Sequence, residues 1–215
     1  MVEIRTVAGS VLCWAVGETG GPRRPGVLLL HGRGGDARDL PAALPGITGP
    51  LVVAARAPLP YRTGGFAWYP VIGDGQPEPD GYRQALEALR QCVTDLPRHL
   101  PIDPARMAVI GFSQGASLAA ALALCTTVPV AAVGVLSGYL PPFAERTATT
   151  STGAAFVGHG DQDRSVPTRR GHQVAALLAA SGRTVTAKTY PMGHGITPAE
   201  AADVAAWVDS ALGLR

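Results

Sequence analysis

A single serine between two glycines, in the segment GFSQG at 111–115, is the feature of this sequence that points most directly to chemistry. The valine-rich run RMAVIGF (106–112) precedes it, and an alanine-rich run (114–125) follows it. A buried strand that turns sharply into a helix at a serine is typical of a nucleophile elbow, and the flanking glycines leave room for the turn. We therefore predict that the Ser113 hydroxyl stands above a sheet edge as a nucleophile.

A serine hydroxyl needs a base that takes its proton, and His194 is the histidine best placed for this role. It lies in YPMGHGI, directly after a predicted strand (183–190) and before a predicted helix, with a glycine on each side. The other histidines are less well placed. His31 lies at a strand end and His99 lies in a helix-to-strand loop. His159 lies ahead of the acidic candidates, and His172 lies on a helix. We predict that His194 is the base.

An acid that orients the base is expected in GHGDQDRSVP (158–167), which follows another predicted strand and contains Asp161 and Asp163. Asp163 is favoured because it lies further out in the loop, just before the residues that begin the next helix. Asp161 is the alternative, although its carboxylate would equally suit hydrogen bonds to backbone N–H groups of the loop. The order Ser, Asp, His along the chain occurs in one large class of serine hydrolases.

A glycine-rich turn, LLLHGRGGD (28–36), directly follows a further predicted strand. Its three glycines carry no side chains, so backbone N–H groups of the turn can point outward. We predict that the N–H of Arg33 and the N–H of Gln114, next to the nucleophile, form an oxyanion hole for a tetrahedral intermediate. A phosphate-binding loop is the alternative, but the pattern G-x-x-x-x-G-K-[ST] is absent from this segment.

The elements that must position these residues alternate along the chain between short apolar runs and longer helical patterns. The predicted strands are 10–16 at the sheet edge, 25–31, 50–55, 106–112, 130–137, 154–159 and 183–190. This alternation predicts an α/β fold, a mostly parallel sheet with helices on both faces. Ligands of such sheets bind beyond the carboxyl ends of the strands, and residues 1–215 are expected to form one domain.

Helix ends are predicted from capping residues and prolines. One helix is expected to begin at the cap Asp80 and to end at Pro97, and the alanine-rich run 114–125 is expected to form the next. Two more helices are opened by Pro167, with Gly182 past the end, and by the capping box TPAE (197–200).

The longest irregular stretch, 56–79, is rich in proline, glycine and aromatic residues, and loops of this length are more often functional than not. Aromatic and apolar residues of this loop and of the connection 137–153 are predicted to form apolar walls of the site: Phe66, Trp68, Tyr69, Leu140 and Phe143. The alternative is that they only anchor their loops to the body. The connection is rich in proline and threonine and lacks helical periodicity, so no large lid is expected.

Composition excludes several classes of protein. The chain has 215 residues and a net charge of +2, without a cluster of basic residues, so nucleic acid is not an expected partner. The N-terminus does not resemble a signal peptide, and no run approaches the ~18 apolar residues of a membrane span. The scattered cysteines lack metal-ligand spacing and predict free thiols in a cytoplasmic protein: Cys13, Cys92 and Cys125.

Five motifs in a fixed order, LLLHGRGG, VIGFSQGA, LSGYLP, GHGDQDRSVP and GHGI, resemble the phospholipase/carboxylesterase family of α/β-hydrolases, which includes acyl-protein thioesterases. The resemblance spans residues 27–196 and implies an α/β-hydrolase fold and a serine hydrolase without a cofactor or metal. Transferred to this sequence, its triad is Ser113, Asp163 and His194, with oxyanion N–H groups from Arg33 and Gln114. This sequence departs from the thioesterase members at two positions. It has Arg33 where those members have a Leu-Gly pair after the first glycine, and it has Arg164 where they usually have proline.

These observations predict a serine carboxylesterase that hydrolyses small short-chain or aromatic esters through an acyl-enzyme. An acyl-thioesterase or lysophospholipase of the same family is the first alternative, and the two departures argue against the thioesterase branch. A non-catalytic binding protein with this fold is the second alternative, which the intact triad argues against. The expected partner is a small ester, no membrane span is expected, and a homodimer is left open.

Overall fold

An eight-stranded sheet is the centre of the computed structural model, which describes residues 2–5, 11–16, 19–73, 75–144, 146 and 152–214. The strands are β1 (Val2–Arg5), β2 (Leu12–Val16), β3 (Arg24–Leu30), β4 (Leu51–Arg56), β5 (Leu59–Pro60), β6 (Phe66–Ala67), β7 (Val71–Ile72), β8 (Gln76–Pro77), β9 (Ile102–Phe112), β10 (Ala132–Leu136), β11 (Ala154–Gly160) and β12 (Thr184–Tyr190). The sheet order is β1-β2-β4-β3-β9-β10-β11-β12, while β5 pairs with β6 and β7 with β8.

The sheet is mostly parallel, which confirms the fold predicted from the alternation of strands and helices. Within this sheet, the neighbouring strands in the order β4-β3-β9-β10-β11-β12 are all parallel, whereas β2 runs antiparallel to both β1 and β4. The prediction that 10–16 lies at the sheet edge is wrong, because β1 pairs with β2 and takes the edge; residue 10 itself lies outside the described residues. Strands β3 and β10 are buried along almost their whole length, hence their continuous apolar sequences.

Helices cover both faces of the sheet. They are α1 (Asp39–Ala43), α2 (Pro79–His99), α3 (Gln114–Cys125), α4 (Thr168–Ala180) and α5 (Pro198–Ala211). Buried side chains of α2, α3 and α4 pack into one apolar cluster, whereas those of α1 and α5 pack into a second cluster with Phe156. In the described part of the chain, no helix has the length and hydropathy that a membrane span requires.

Two helix ends differ from the prediction. The cap of α2 is Glu78 instead of Asp80, because the Glu78 carboxylate accepts hydrogen bonds from the N–H groups of Asp80 (3.0 Å) and Gly81 (2.6 Å). Pro97 does not end α2, which continues to His99. A proline near a helix end removes one backbone donor without breaking the turns that precede it. The predicted span of α3 is confirmed, and α4 begins directly after Pro167.

The predicted capping box of α5 is half formed. The Thr197 hydroxyl accepts a hydrogen bond from the N–H of Glu200 (3.2 Å), as predicted. The Glu200 carboxyl is fully buried and has no hydrogen-bond partner among the described residues, so it does not return to the cap. Burial, with a smaller contribution from the charge of Asp203, raises the pKa of Glu200 to about 8. This group is therefore a neutral acid inside the fold at neutral pH.

The connection between β10 and β11 contains no helix in its described residues, 137–144, 146, 152 and 153. The absence of a large lid stays a prediction. Residues 145 and 147–151 of the same predicted segment lie outside the described residues.

Candidate active site

Ser113 alone forms the turn between β9 and α3. Strand β9 ends at Phe112 and helix α3 begins at Gln114, and Ser113 has φ 54° and ψ −112°. A positive φ is unfavourable for a residue with a side chain, and such strain persists only where the surroundings enforce it. Here the Ser113 N–H donates to the carbonyl of Leu136 (3.0 Å) at the end of β10. The hydroxyl is thereby held at the carboxyl ends of the strands.

The two glycines of GFSQG are required by close backbone approaches. A Cβ atom at Gly111 would collide with the backbone of Gly115, two residues beyond the serine. A Cβ atom at Gly115 would collide with the carbonyl of Leu30, at the end of β3. The spacing seen in the sequence is therefore the packing condition of the turn.

The structure brings Ser113, His194 and Asp163 into one hydrogen-bonded chain. The Ser113 hydroxyl donates to His194 Nε2 (3.0 Å), and His194 Nδ1–H donates to Asp163 Oδ2 (2.7 Å). These bonds define the imidazole tautomer in which Nε2 is free to accept the serine proton. The Phe112 ring lies 4.9 Å from the imidazole ring, centroid to centroid, and supports its orientation. Sequence analysis did not identify this role for Phe112.

Asp163 is held as a carboxylate by its surroundings. Its other oxygen, Oδ1, accepts hydrogen bonds from the N–H groups of Ser165 (2.8 Å) and Val166 (2.9 Å). Burial acts to raise the pKa of Asp163, but the hydrogen bonds from His194, Val166 and Ser165 outweigh it, so the pKa lies below its usual value. The alternative acid, Asp161, is exposed and does not contact the imidazole.

Two other histidines brace the loops around this chain. His31 Nδ1–H donates to the carbonyl of Gly32 (2.6 Å), and His31 Nε2 accepts from the N–H of Ala57 (3.0 Å). His159 Nε2–H donates to the carbonyl of Val166 (2.8 Å). Burial is the main cause that lowers the pKa of both imidazoles, so they are neutral structural groups.

The glycine-rich turn after β3 lies beside the serine. A Cβ atom at Gly32 would stand 3.4 Å from the Cβ of Ser113. The N–H groups of Gly34 and Gly35 are used within the fold, donating to Phe66 (2.8 Å) and to Gly32 (3.1 Å). The N–H of Arg33, by contrast, finds no acceptor in the described part of the chain. Gln114 is the first residue of α3, where an N–H has no intrahelical acceptor.

The Gln114 side chain has a second role that the sequence did not indicate. Its Oε1 accepts a hydrogen bond from the N–H of Trp68 (3.0 Å), and its Nε2 donates to the carbonyl of Tyr69 (3.1 Å). The Trp68 ring in turn donates from Nε1 to the carbonyl of His31 (2.8 Å). The long loop is thus tied both to the residue after the serine and to the glycine-rich turn.

The aromatic residues of the loop pack into the body, which favours the alternative that they anchor the loop over the prediction that they form apolar walls of the site. Trp68 and Tyr69 are 2 % and 0 % exposed, and the Tyr69 and Tyr82 rings are 4.8 Å apart. Phe66 packs under the guanidinium of Arg56, 4.4 Å from its ring centroid. The remaining predicted wall residues pack against the core: Leu140 and Phe143. The hydrogen bonds to the Gln114 side chain and the burial of the Trp68 and Tyr69 rings hold this part of the loop against the body.

A cavity of about 550 Å³ opens beside Ser113 and His194. Its apolar lining comes from Val71, Val166 and Pro167, and none of the predicted aromatic wall residues lines it. The hairpin formed by β7 and β8, which the sequence did not predict, contributes one side of the cavity. The site is therefore polar, with few apolar contacts for an acyl chain.

The fold is that of an α/β-hydrolase: it has a mostly parallel sheet, a sharp turn from strand to helix at Ser113, and hydrogen bonds that join Ser113, His194 and Asp163. The sequence profile of the phospholipase/carboxylesterase family matches residues 12–212, so the chain belongs to this family. Acyl-protein thioesterase 1 of Mycosarcoma maydis is 35 % identical over 127 residues, which are 55 % of this chain and 52 % of that protein. The match therefore spans about half the length of this curated relative.

Solved structures agree over nearly the whole chain. Esterase PE8 is 25 % identical with a TM-score of 0.80, and the alignment covers 92 % of this chain and 97 % of that one. A carboxylesterase from Mesorhizobium loti is 24 % identical with a TM-score of 0.85, with coverage of 96 % and 98 %. The second similarity concerns the fold alone.

Proposed function

We propose that this chain is a serine carboxylesterase of small esters. The observation that carries the proposal is the chain of hydrogen bonds from Ser113 Oγ to His194 Nε2 (3.0 Å) and from His194 Nδ1 to Asp163 Oδ2 (2.7 Å). In this proposal Ser113 is the nucleophile, His194 the base and Asp163 the residue that orients the imidazole.

The reaction follows from these positions. Ser113 Oγ attacks the ester carbonyl while its proton passes to His194 Nε2, and the resulting imidazolium is stabilised by the Asp163 carboxylate. The negative charge on the former carbonyl oxygen is stabilised by the N–H groups of Arg33 and Gln114. The alcohol leaves with the proton from His194. Water then attacks the acyl-enzyme while His194 takes its proton, and Ser113 leaves with that proton as the acid is released.

The lining of the cavity supports small substrates. With few apolar side chains, it offers little apolar surface to a long acyl chain. An acyl-thioesterase is the second candidate, which the 35 % identity to an acyl-protein thioesterase 1 supports.

Cys13 and Cys92 lie with their sulfur atoms 3.6 Å apart as unbonded thiols, so we place the enzyme in the reducing cytoplasm.

A substrate panel tests this function. We expect kcat/KM to be highest for short p-nitrophenyl esters in a series from acetate to palmitate, and lower for a palmitoyl thioester and a lysophospholipid. The Ser113→Ala variant should lose roughly 10⁴–10⁶ in kcat and all labelling by a fluorophosphonate, with an unchanged circular dichroism spectrum. Labelling of that variant would contradict the assigned nucleophile, and a maximum on the palmitoyl thioester would favour the second candidate.

A further inference from the structure

Three arginines line the cavity beside the serine. Arg33 comes from the glycine-rich turn, and Arg169 and Arg170 come from the first turn of α4. All three share the cavity with Ser113 and His194. Among the described residues, none of the three guanidiniums forms an ion pair with a carboxylate.

Among the residues that the structure describes, no aspartate or glutamate lines the cavity, so the three guanidiniums have no balancing carboxylate there. The Asp163 carboxylate is buried behind His194 and already accepts three hydrogen bonds. The formal net charge of the whole chain is only +2, so the three guanidiniums place more positive charge here than the entire molecule carries in sum. A concave site concentrates such a field and attracts anions.

The three arginines come from distant parts of the chain and line one cavity, together with Tyr139. Burial raises the pKa of Tyr139, whereas its hydrogen bond with Tyr69 and the charges of Arg33 and Arg170 act in the opposite direction. The arginines therefore share one space in the fold although they lie far apart in the sequence.

The position of two of these arginines is unfavourable for the fold itself. Helix α4 begins with Arg169 and Arg170 near its positive end, without an acidic residue in the first turn and without a side-chain cap. Cations at a helix N-terminus oppose the helix dipole. Helices α2 and α5 begin with a side-chain cap and an acidic residue in the first turn. A bound anion would remove this unfavourable arrangement in α4.

We propose that the natural substrate is an ester that carries a carboxylate, which Arg33, Arg169 and Arg170 bind beside the scissile bond. This inference rests on the proposed esterase function and names the substrate class of that site. The planar guanidinium pairs with a carboxylate through two parallel hydrogen bonds, which gives both affinity and orientation. The carboxylate itself does not react: water cleaves the ester C–O bond, and the alcohol, a second carboxylate and one proton are released.

Esters that differ only in charge test the proposal. In the first pair, monomethyl glutarate carries a carboxylate on the acyl side, and methyl pentanoate is its neutral partner with an acyl chain of equal length. In the second pair, acetoxyacetate carries the carboxylate on the alcohol side, and ethyl acetate is its neutral partner. Hydrolysis is followed with a pH-stat for each ester. We expect kcat/KM for the charged member of at least one pair to exceed that of its neutral partner by about tenfold or more, as a charge-assisted hydrogen bond allows. The pair that shows the preference identifies the side that bears the carboxylate.

Variants separate this binding from general effects on the enzyme. In the double variant Arg169→Gln/Arg170→Gln, the preference for the charged ester should fall about tenfold or more, mainly through KM. The matched control is Arg164→Gln, because Arg164 is exposed in the loop that precedes α4 and does not line the cavity. This control should keep the preference of the wild type. Added salt should reduce the preference of the wild type, since it screens partly exposed charges.

Labelling by a neutral fluorophosphonate supplies a readout that needs no turnover. Glutarate should slow the labelling of Ser113 in the wild type and have much less effect in the double arginine variant. Rapid hydrolysis of the neutral esters with no preference for charge, and no protection by glutarate, would overturn the carboxylate proposal and leave the esterase function standing. Absence of both labelling and hydrolysis of every ester would instead overturn the esterase function, and this inference with it.

Discussion

Gln114 and Trp68 are joined by a hydrogen bond of 3.0 Å from the Trp68 N–H to the Gln114 side-chain oxygen. The residue next to Ser113 therefore also holds the long loop that braces the glycine-rich turn. Because the Gln114 amide also donates to the carbonyl of Tyr69, its loss leaves two buried backbone groups without partners.

Gln114→Ala should thus destabilise the protein by about 1–3 kcal/mol for each backbone group left unsatisfied. Its backbone N–H, the proposed oxyanion donor, is retained in this variant. Urea denaturation measures the change in unfolding free energy. Gln91→Ala is the control, since the exposed Gln91 side chain bonds only to Glu87 on the surface of α2 and its loss should leave stability nearly unchanged.

Asp163→Asn should lower kcat/KM on a short p-nitrophenyl ester by about 10⁴, as in a comparable triad. An amide at this position favours the imidazole tautomer that cannot accept the serine proton. Asp161→Asn is the matched control, because Asp161 is exposed and does not contact His194. Equal losses in both variants, or a larger loss at position 161, would contradict the assignment of the acid.

Arg33→Pro should lower kcat on a neutral ester by about 10²–10³, the effect of removing one oxyanion donor. Proline has no N–H, whereas Arg33→Ala keeps the backbone donor and removes only the guanidinium. The comparison of the two variants on p-nitrophenyl acetate measures the backbone contribution. Similar activities of the alanine and proline variants, with both folded by circular dichroism, would exclude this N–H from the oxyanion hole.

Trp68→Ala should reduce stability rather than change ester preference. The side chain is 2 % exposed and donates a hydrogen bond to the carbonyl of His31, so its removal leaves a cavity in the core. We expect a loss of about 3–5 kcal/mol in unfolding free energy and a similar relative change of kcat/KM for short and bulky esters. A selective loss on bulky esters with unchanged stability would restore the predicted role of Trp68 as a substrate wall.

Glu200 should make stability fall as pH rises. Burial raises the pKa of Glu200 to about 8 in the fold, from a usual value of 4.5. Between these values the folded protein binds a proton that the unfolded chain has lost, so the stability from this group is complete below the lower pKa and disappears as pH rises through the higher one.

The Glu200→Gln variant cannot titrate, so its stability relative to the wild type should increase with pH by about 1.4 kcal/mol per pH unit over this interval. Urea denaturation at a series of pH values measures this slope. Glu87→Gln is the control, because Glu87 lies on the surface in an ion pair with Arg90 and should show no such slope. A flat difference for Glu200→Gln would show that the carboxyl is ionised in the fold.

Local patterns were sufficient to predict seven of the eight strands of the main sheet, the turn at Ser113 and the loops that bear Asp163 and His194. A turn at Ser113 requires glycines at 111 and 115, and a cap at Thr197 requires a hydroxyl before Pro198, so these features are visible in a few consecutive residues. The order of strands and helices also predicts that the loops after β9, β11 and β12 meet at one end of a parallel sheet. Sequence analysis therefore selected Ser113, Asp163 and His194, which the structure joins by hydrogen bonds; their catalytic roles stay a prediction.

Only the tertiary structure decided which way side chains face and what they contact. Trp68 and Tyr69 are aromatic residues of the kind that could form a substrate wall. Hydrogen bonds between their backbone groups and the Gln114 side chain, 46 and 45 residues away in the chain, instead hold their loop against the core. Glu200 has the spacing of a capping box, yet it is buried beside Gly158 instead of reaching Thr197. Likewise, Arg33 and Arg170 are unrelated in the sequence and share one cavity in the fold. Contacts between residues far apart in the chain depend on how whole elements pack, and no local pattern encodes them.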